Sequence, residues 1–120
     1  MRKLLKSAGY AWAGIRHTVV HERNMRIHGA ILVFIILVAV LLGVERIELA
    51  LILAVSALVL CLELANTAVE TLADMVSPGQ DSRIRIVKDC MAGAVMLAAI
   101  FSVAIGVLIL LPRIISLLGV

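Results

Sequence analysis

Three charge-free apolar runs decide what this chain can fold into: residues 27–44, 49–62 and 90–112. As a helix, the 18 residues of the first span about 27 Å, close to the thickness of a bilayer's hydrocarbon core. The 23 residues of the third cross it with room for tilt. In hydrocarbon no water satisfies the backbone, so runs of this kind must be helices. A soluble domain of 120 residues has no interior large enough to hide a composition that is 63% hydrophobic. The expected class is an all-α integral membrane protein with one domain, 1–120.

In chain order the expected elements are a surface helix over about 1–22 and transmembrane helices over about 27–44, 48–76 and 88–112. Leu4, Leu5, Ala8, Trp12, Ile15 and Val19 recur at helical spacing, with Lys3 and Lys6 toward other faces. This pattern suits an amphipathic helix on a membrane surface. Lys6, Ser7 and Gly9 interrupt the apolar core a signal peptide would need. Arg23 and Arg26 are placed to meet lipid phosphates, and Glu22 between the basic residues is not explained by anchoring. Gly43 and residues 45–48 mark a short turn, and residues 77–82 (SPGQDS) the clearest loop. Arg113 is expected to end the last span. Arg2, Lys3, Lys6, Arg16, Arg23 and Arg26 lie on the side of Arg83, Arg85 and Lys88, while the other side has Arg46 and Arg113. The positive-inside rule then predicts a cytoplasmic N-terminus and an external C-terminus. The net charge of +3 is modest, and no nucleic-acid partner is expected.

Into the second span runs ELANTAVETLAD (63–74), carrying Glu63, Asn66, Glu70 and Asp74. At about 100° per residue the four fall within an arc of roughly 80° and along roughly 16 Å of axis. Carboxylates at membrane depth are expensive and mark a site, a cavity or a partner. Three helices are expected to need neighbouring copies to wrap such a column, which predicts a homo-oligomer with shared sites. Cys61 and Cys90 read as small packing residues, and His17, His21 and His28 as interfacial or packing histidines.

The sequence holds no GxxxxGK[ST] loop, no GxGxxG and no HExxH. Acids facing several bases at a membrane surface suit phosphoryl transfer. Separated carboxylates can hold magnesium, a lysine can balance polyphosphate, and a further carboxylate can take a proton from a hydroxyl. The same column equally suits pairing with Arg23, Arg26, Arg83 or Lys88 between subunits. A cation pathway or accessory subunit, a non-enzymatic membrane oligomer, is the rival class.

Four stretches, KSAGYAWAGIR (6–16), HERNMRIH (21–28), ELANTAVETLAD (63–74) and VKDCMAGAV (87–95), resemble the small prokaryotic diacylglycerol kinase and undecaprenol kinase family over almost the whole chain. The resemblance implies a homotrimer in the bacterial inner membrane that transfers the γ-phosphate of ATP to a lipid hydroxyl. It implies Glu63 as the general base, and Glu22 and Glu70 as the residues holding the Mg2+ of the ATP complex. It further implies nucleotide contacts from Lys3, Tyr10, Asp74, Lys88 and Asp89, with arginine common in the family where Lys3 stands. Asn66 would lie near the lipid head, and Ala8, Trp12 and Arg16 would border the lipid entry. The ERNxRxH form of the first motif is more similar to the undecaprenol kinase branch, and both acceptor lipids end in a primary hydroxyl.

Overall fold

The computed structural model describes residues 1–79 and 81–119. Gln80, inside the expected loop, and Val120, at the end of the expected domain, lie outside the described residues. Four helices follow in order: α1 (Arg2–His21), α2 (Arg23–Leu41), α3 (Arg46–Val76) and α4 (Ser82–Leu117). The last three are long and apolar enough to cross a membrane. The molecule measures 58 × 43 × 21 Å, and α3 packs most extensively on α4. Phe34, Leu53, Phe101 and Leu108 remain exposed on the single chain, as side chains facing hydrocarbon do.

Helix ends follow their local chemistry rather than the limits of the apolar runs. Glu22 is the single extended residue between α1 and α2 (φ −95°, ψ 120°). The Arg26 guanidinium donates to the carbonyls of Val20 (2.7 Å) and Val19 (3.2 Å), the unsatisfied acceptors at the end of α1. Arg26 thus holds one helix against the next, where the sequence pointed to a lipid phosphate. After α2, Gly43 takes φ +62°. Its N–H donates to Val40 and that of Val44 to Ala39, a Schellman closure that needs a left-handed residue. The predicted turn at 45–48 is mostly helix: Glu45 and Glu48 form a reciprocal capping box on the first turn of α3.

Asp81 opens α4, accepting from the Arg83 N–H at 2.8 Å. The Arg83 side chain also binds it, and this holds the Asp81 carboxyl below the usual carboxylate range. The helix therefore starts before Lys88. It also runs past Arg113, through Pro112, to Leu117. Membrane helices tolerate proline. The Leu108 carbonyl loses its helical donor at Pro112, and the Arg113 side chain donates to the carbonyl of the next residue, Ile109, at 3.2 Å.

The small core joins α2, α3 and α4 at the end away from the acidic column, through Ala39, Ile52 and Leu110. Beside it Arg113 bridges to Glu48 at 2.6 Å, tying the end of α4 to the start of α3. Both side chains are half-buried, so each is the other's main compensation. Arg113→Ala and Glu48→Gln should each lower the thermal midpoint in detergent. The double variant should lose little more than either single one, and additive losses would show that the bridge does not couple the helices.

Candidate active site

The acidic column forms as the helical spacing requires, but its members meet different surroundings. Glu63 is 3% exposed, covered by its own chain without help from a neighbouring copy. Asn66 and Glu70 are half-buried one and two turns on, and Asp74 is exposed near the helix end. Asn66 donates from Nδ2 to Glu70 Oε1 at 3.0 Å. The Thr67 hydroxyl donates to the Glu63 backbone carbonyl at 3.0 Å, and Thr71 repeats the bond on Thr67. These hydroxyls therefore serve the helix backbone and leave the Glu63 carboxylate free.

Glu63, Asn66 and Glu70 line a cleft of about 310 Å³ with Asn24 and His28 of α2 and Ala92, Val95, Met96 and Ala99 of α4. Two buried oxygens on this wall, Glu63 Oε1 and Asn66 Oδ1, have no hydrogen-bond partner among the described residues. Buried polar atoms are rarely left so in a native fold unless something binds there. His28 Nε2 lies 3.4 Å from Glu63 Oε1, beyond ordinary hydrogen-bond length. The sequence alone suggests an interfacial or packing role for His28 and does not single out Asn24. The two stand four apart on one face of α2, where the apolar run begins, a spacing that puts them together but says nothing of Glu63.

A second hollow of about 450 Å³ opens where α3 passes to α4, lined by Asp74, Gly79, Asp81, Arg85, Lys88 and Asp89 among others. Lys88 Nζ donates to Asp74 Oδ1 here. Asp89 lies 3.8 Å from Arg85 on the exposed surface. Asp74, Lys88 and Asp89 are thus brought together, next to the cleft along α3.

The N-terminal residues are not brought to the cleft. Lys3, Ala8, Tyr10, Trp12 and Arg16 are all exposed on α1. Against α3, that helix lines a separate groove through Gly14, His17 and Thr18. Glu22 is half-buried at the α1–α2 break and does not line the cleft among the described residues. Deeper along the same three helices, beyond His28 and Ala99 and before Glu63, an apolar cavity of about 360 Å³ is lined by Ile31, Ile35, Val55, Ser102 and Gly106, among others.

The donor set can be tested against magnesium. Every spare atom on the α3 wall is oxygen, from Glu63, Asn66 and Glu70, as a hard cation requires. Among the described residues no three of His, Cys, Asp and Glu converge into a closed metal cage. Magnesium does not require one, being commonly held by one or two carboxylates with phosphate and water.

Comparison with known proteins bears on this arrangement. The family described as "Prokaryotic diacylglycerol kinase" matches residues 9–110. The chain is 45% identical to a diacylglycerol kinase of Synechocystis sp. over 96% of this chain and 66% of that one. It is 33% identical to the undecaprenol kinase of Bacillus subtilis, over 94% and 92%. To the diacylglycerol kinase of Escherichia coli K12 it is 29% identical, over 84% and 83%. It thus spans just under two thirds of the Synechocystis protein and most of the other two.

Proposed function

This chain belongs to the prokaryotic diacylglycerol kinase family of ATP-dependent lipid kinases, and on that premise we propose that it phosphorylates the terminal hydroxyl of a membrane lipid at the Glu63 cleft. The observation that carries the placement is the buried Glu63 carboxylate, unpartnered at Oε1 on the wall of a cleft shared with Asn66 and Glu70. A carboxylate kept at membrane depth without a partner is suited to take a proton. Membership of a kinase family leaves a non-enzymatic oligomer without support.

In the proposed reaction the lipid oxygen bonds to the γ-phosphorus in line with the breaking bond to ADP. ADP departs with the electron pair, and the hydroxyl proton passes to Glu63. Asn66 Oδ1 accepts a hydrogen bond from the lipid head. Glu70 and Glu22 are the residues that would hold magnesium. When bound, the metal would neutralise phosphate charge. Lys88, released from Asp74, balances the polyphosphate, with Asp89 beside it. The apolar cavity deeper along the same helices suits a lipid chain whose head lies at Glu63.

Lys3, Ala8, Tyr10, Trp12 and Arg16 lie away from the cleft of their own chain. The proposed homotrimer is the arrangement in which a neighbouring copy could supply them. The N-terminus and the turn into α4 are assigned to the cytoplasmic side of the bacterial inner membrane, where ATP is available and where the basic residues concentrate.

The acceptor is diacylglycerol or undecaprenol, the lipids named in the relatives. Wild-type protein in mixed micelles with magnesium and labelled ATP, given each lipid in parallel, decides between them. A kcat/KM ratio above tenfold identifies the acceptor. Transfer to neither lipid by a well-folded oligomer overturns the assignment.

A further inference from the structure

Glu63 requires a hydrogen-bond donor, and its own helix does not supply one. Asn66 turns its Nδ2 to Glu70, and the Thr67 hydroxyl is bound to the Glu63 backbone. The side chains of α4 on the cleft wall are alanine, valine and methionine. From α2 the imidazole of His28 approaches Glu63 Oε1. Its Nε2 stands 3.4 Å away, and its side chain is 25% exposed against 4% for Glu63. His28 therefore lies on the open side of the buried carboxylate.

His28 is also held in place. Three residues earlier Met25 is buried, and Arg26 is bound to the carbonyls ending α1. The start of α2 is thereby fixed, and with it the direction from which the imidazole approaches.

We propose that His28 is a positioning residue for Glu63: its Nε2–H donates to Oε1 and aims the carboxylate so that the other oxygen meets the acceptor hydroxyl. This inference rests on the kinase reading of the cleft. The contact is longer than a hydrogen bond because catalytic contacts in the absence of substrate are often loose and tighten in the reacting complex. Without the imidazole, the carboxylate faces only alanine, valine and methionine from α4 and turns among its rotamers. A nucleophile and base misaligned by an ångström lose rate rather than binding.

The test uses the full chain in mixed micelles with magnesium-ATP and whichever lipid the wild type accepts. His28→Ala should lower kcat by about 10- to 100-fold, with KM for ATP and for lipid within twofold of wild type. Added 4-methylimidazole should restore part of that loss, because the cleft is open enough to admit it. His28→Gln, whose amide nitrogen reaches about as far as Nε2, should recover most of the turnover. If His28→Ala does not fold as an oligomer, His28→Gln compared with the methyl-bearing isostere His28→Leu decides the same question. Wild-type turnover in His28→Ala would overturn the inference while leaving the kinase reading intact. So would equal losses in the alanine and glutamine variants with no imidazole rescue, which indicate simple packing. A folded wild-type protein without lipid phosphorylation would overturn both.

Discussion

Replacing Glu63 with glutamine lowers turnover of lipid phosphorylation by about 10³-fold, within the range for loss of a general base. The side chain keeps its size and loses the proton acceptor. KM for ATP should stay close to wild type, because Asp74, Lys88 and Asp89 lie toward the other hollow. The same variant should unfold at a higher temperature than wild type. The wild-type carboxylate is 3% exposed and unpartnered at Oε1, an arrangement that a neutral amide relieves. Gain of stability with loss of activity separates a functional acid from a structural one. A stabilising ion pair would lose both together. The readouts are initial rates in mixed micelles and a thermal melt of the same preparations.

The second large effect is on Glu70. Glu70→Gln should reduce the rate at low millimolar magnesium by about 10²-fold and raise the magnesium concentration needed for half-maximal rate. Excess magnesium should recover much of the loss. It should recover nothing in Glu63→Gln, since no cation replaces a proton acceptor. The distinction matters because both acids stand on one helix face, with Asn66 between them bonded to Glu70. A rate titration against magnesium for the two variants assigns the roles. Identical curves would mean that Glu70 and Glu63 act as one unit.

Much of this site was legible before any coordinates. Period alone put Glu63, Asn66, Glu70 and Asp74 on one face, and α3 keeps them there. The apolar runs mark three spans because a continuous apolar segment in lipid must satisfy its backbone within itself, as a helix does. Ends were read less well, since caps are made by side chains whose partners lie in other segments. The charged residues near the span ends, Glu45 with Glu48 and Arg113 with Glu48, carry helix instead of stopping it. The largest omission was His28. A histidine in an apolar run is most often packing, and nothing local says that α2 brings this one within 3.4 Å of an acid 35 positions later. Long-range juxtaposition of this kind is a property of helix crossing, which pattern reading does not contain. The reverse holds for Tyr10, Trp12 and Arg16. Their roles rest on resemblance, and the single chain leaves them exposed on α1.

The most direct test of the account follows the label from γ-³²P-ATP into solvent-extractable lipid, with wild type and Glu63→Gln side by side, each with magnesium and with chelator. Label in the lipid from wild type with magnesium alone, reduced by about 10³-fold in Glu63→Gln, is the predicted result. Undiminished label in the variant, or none in the lipid from a folded, oligomeric wild type, would contradict it.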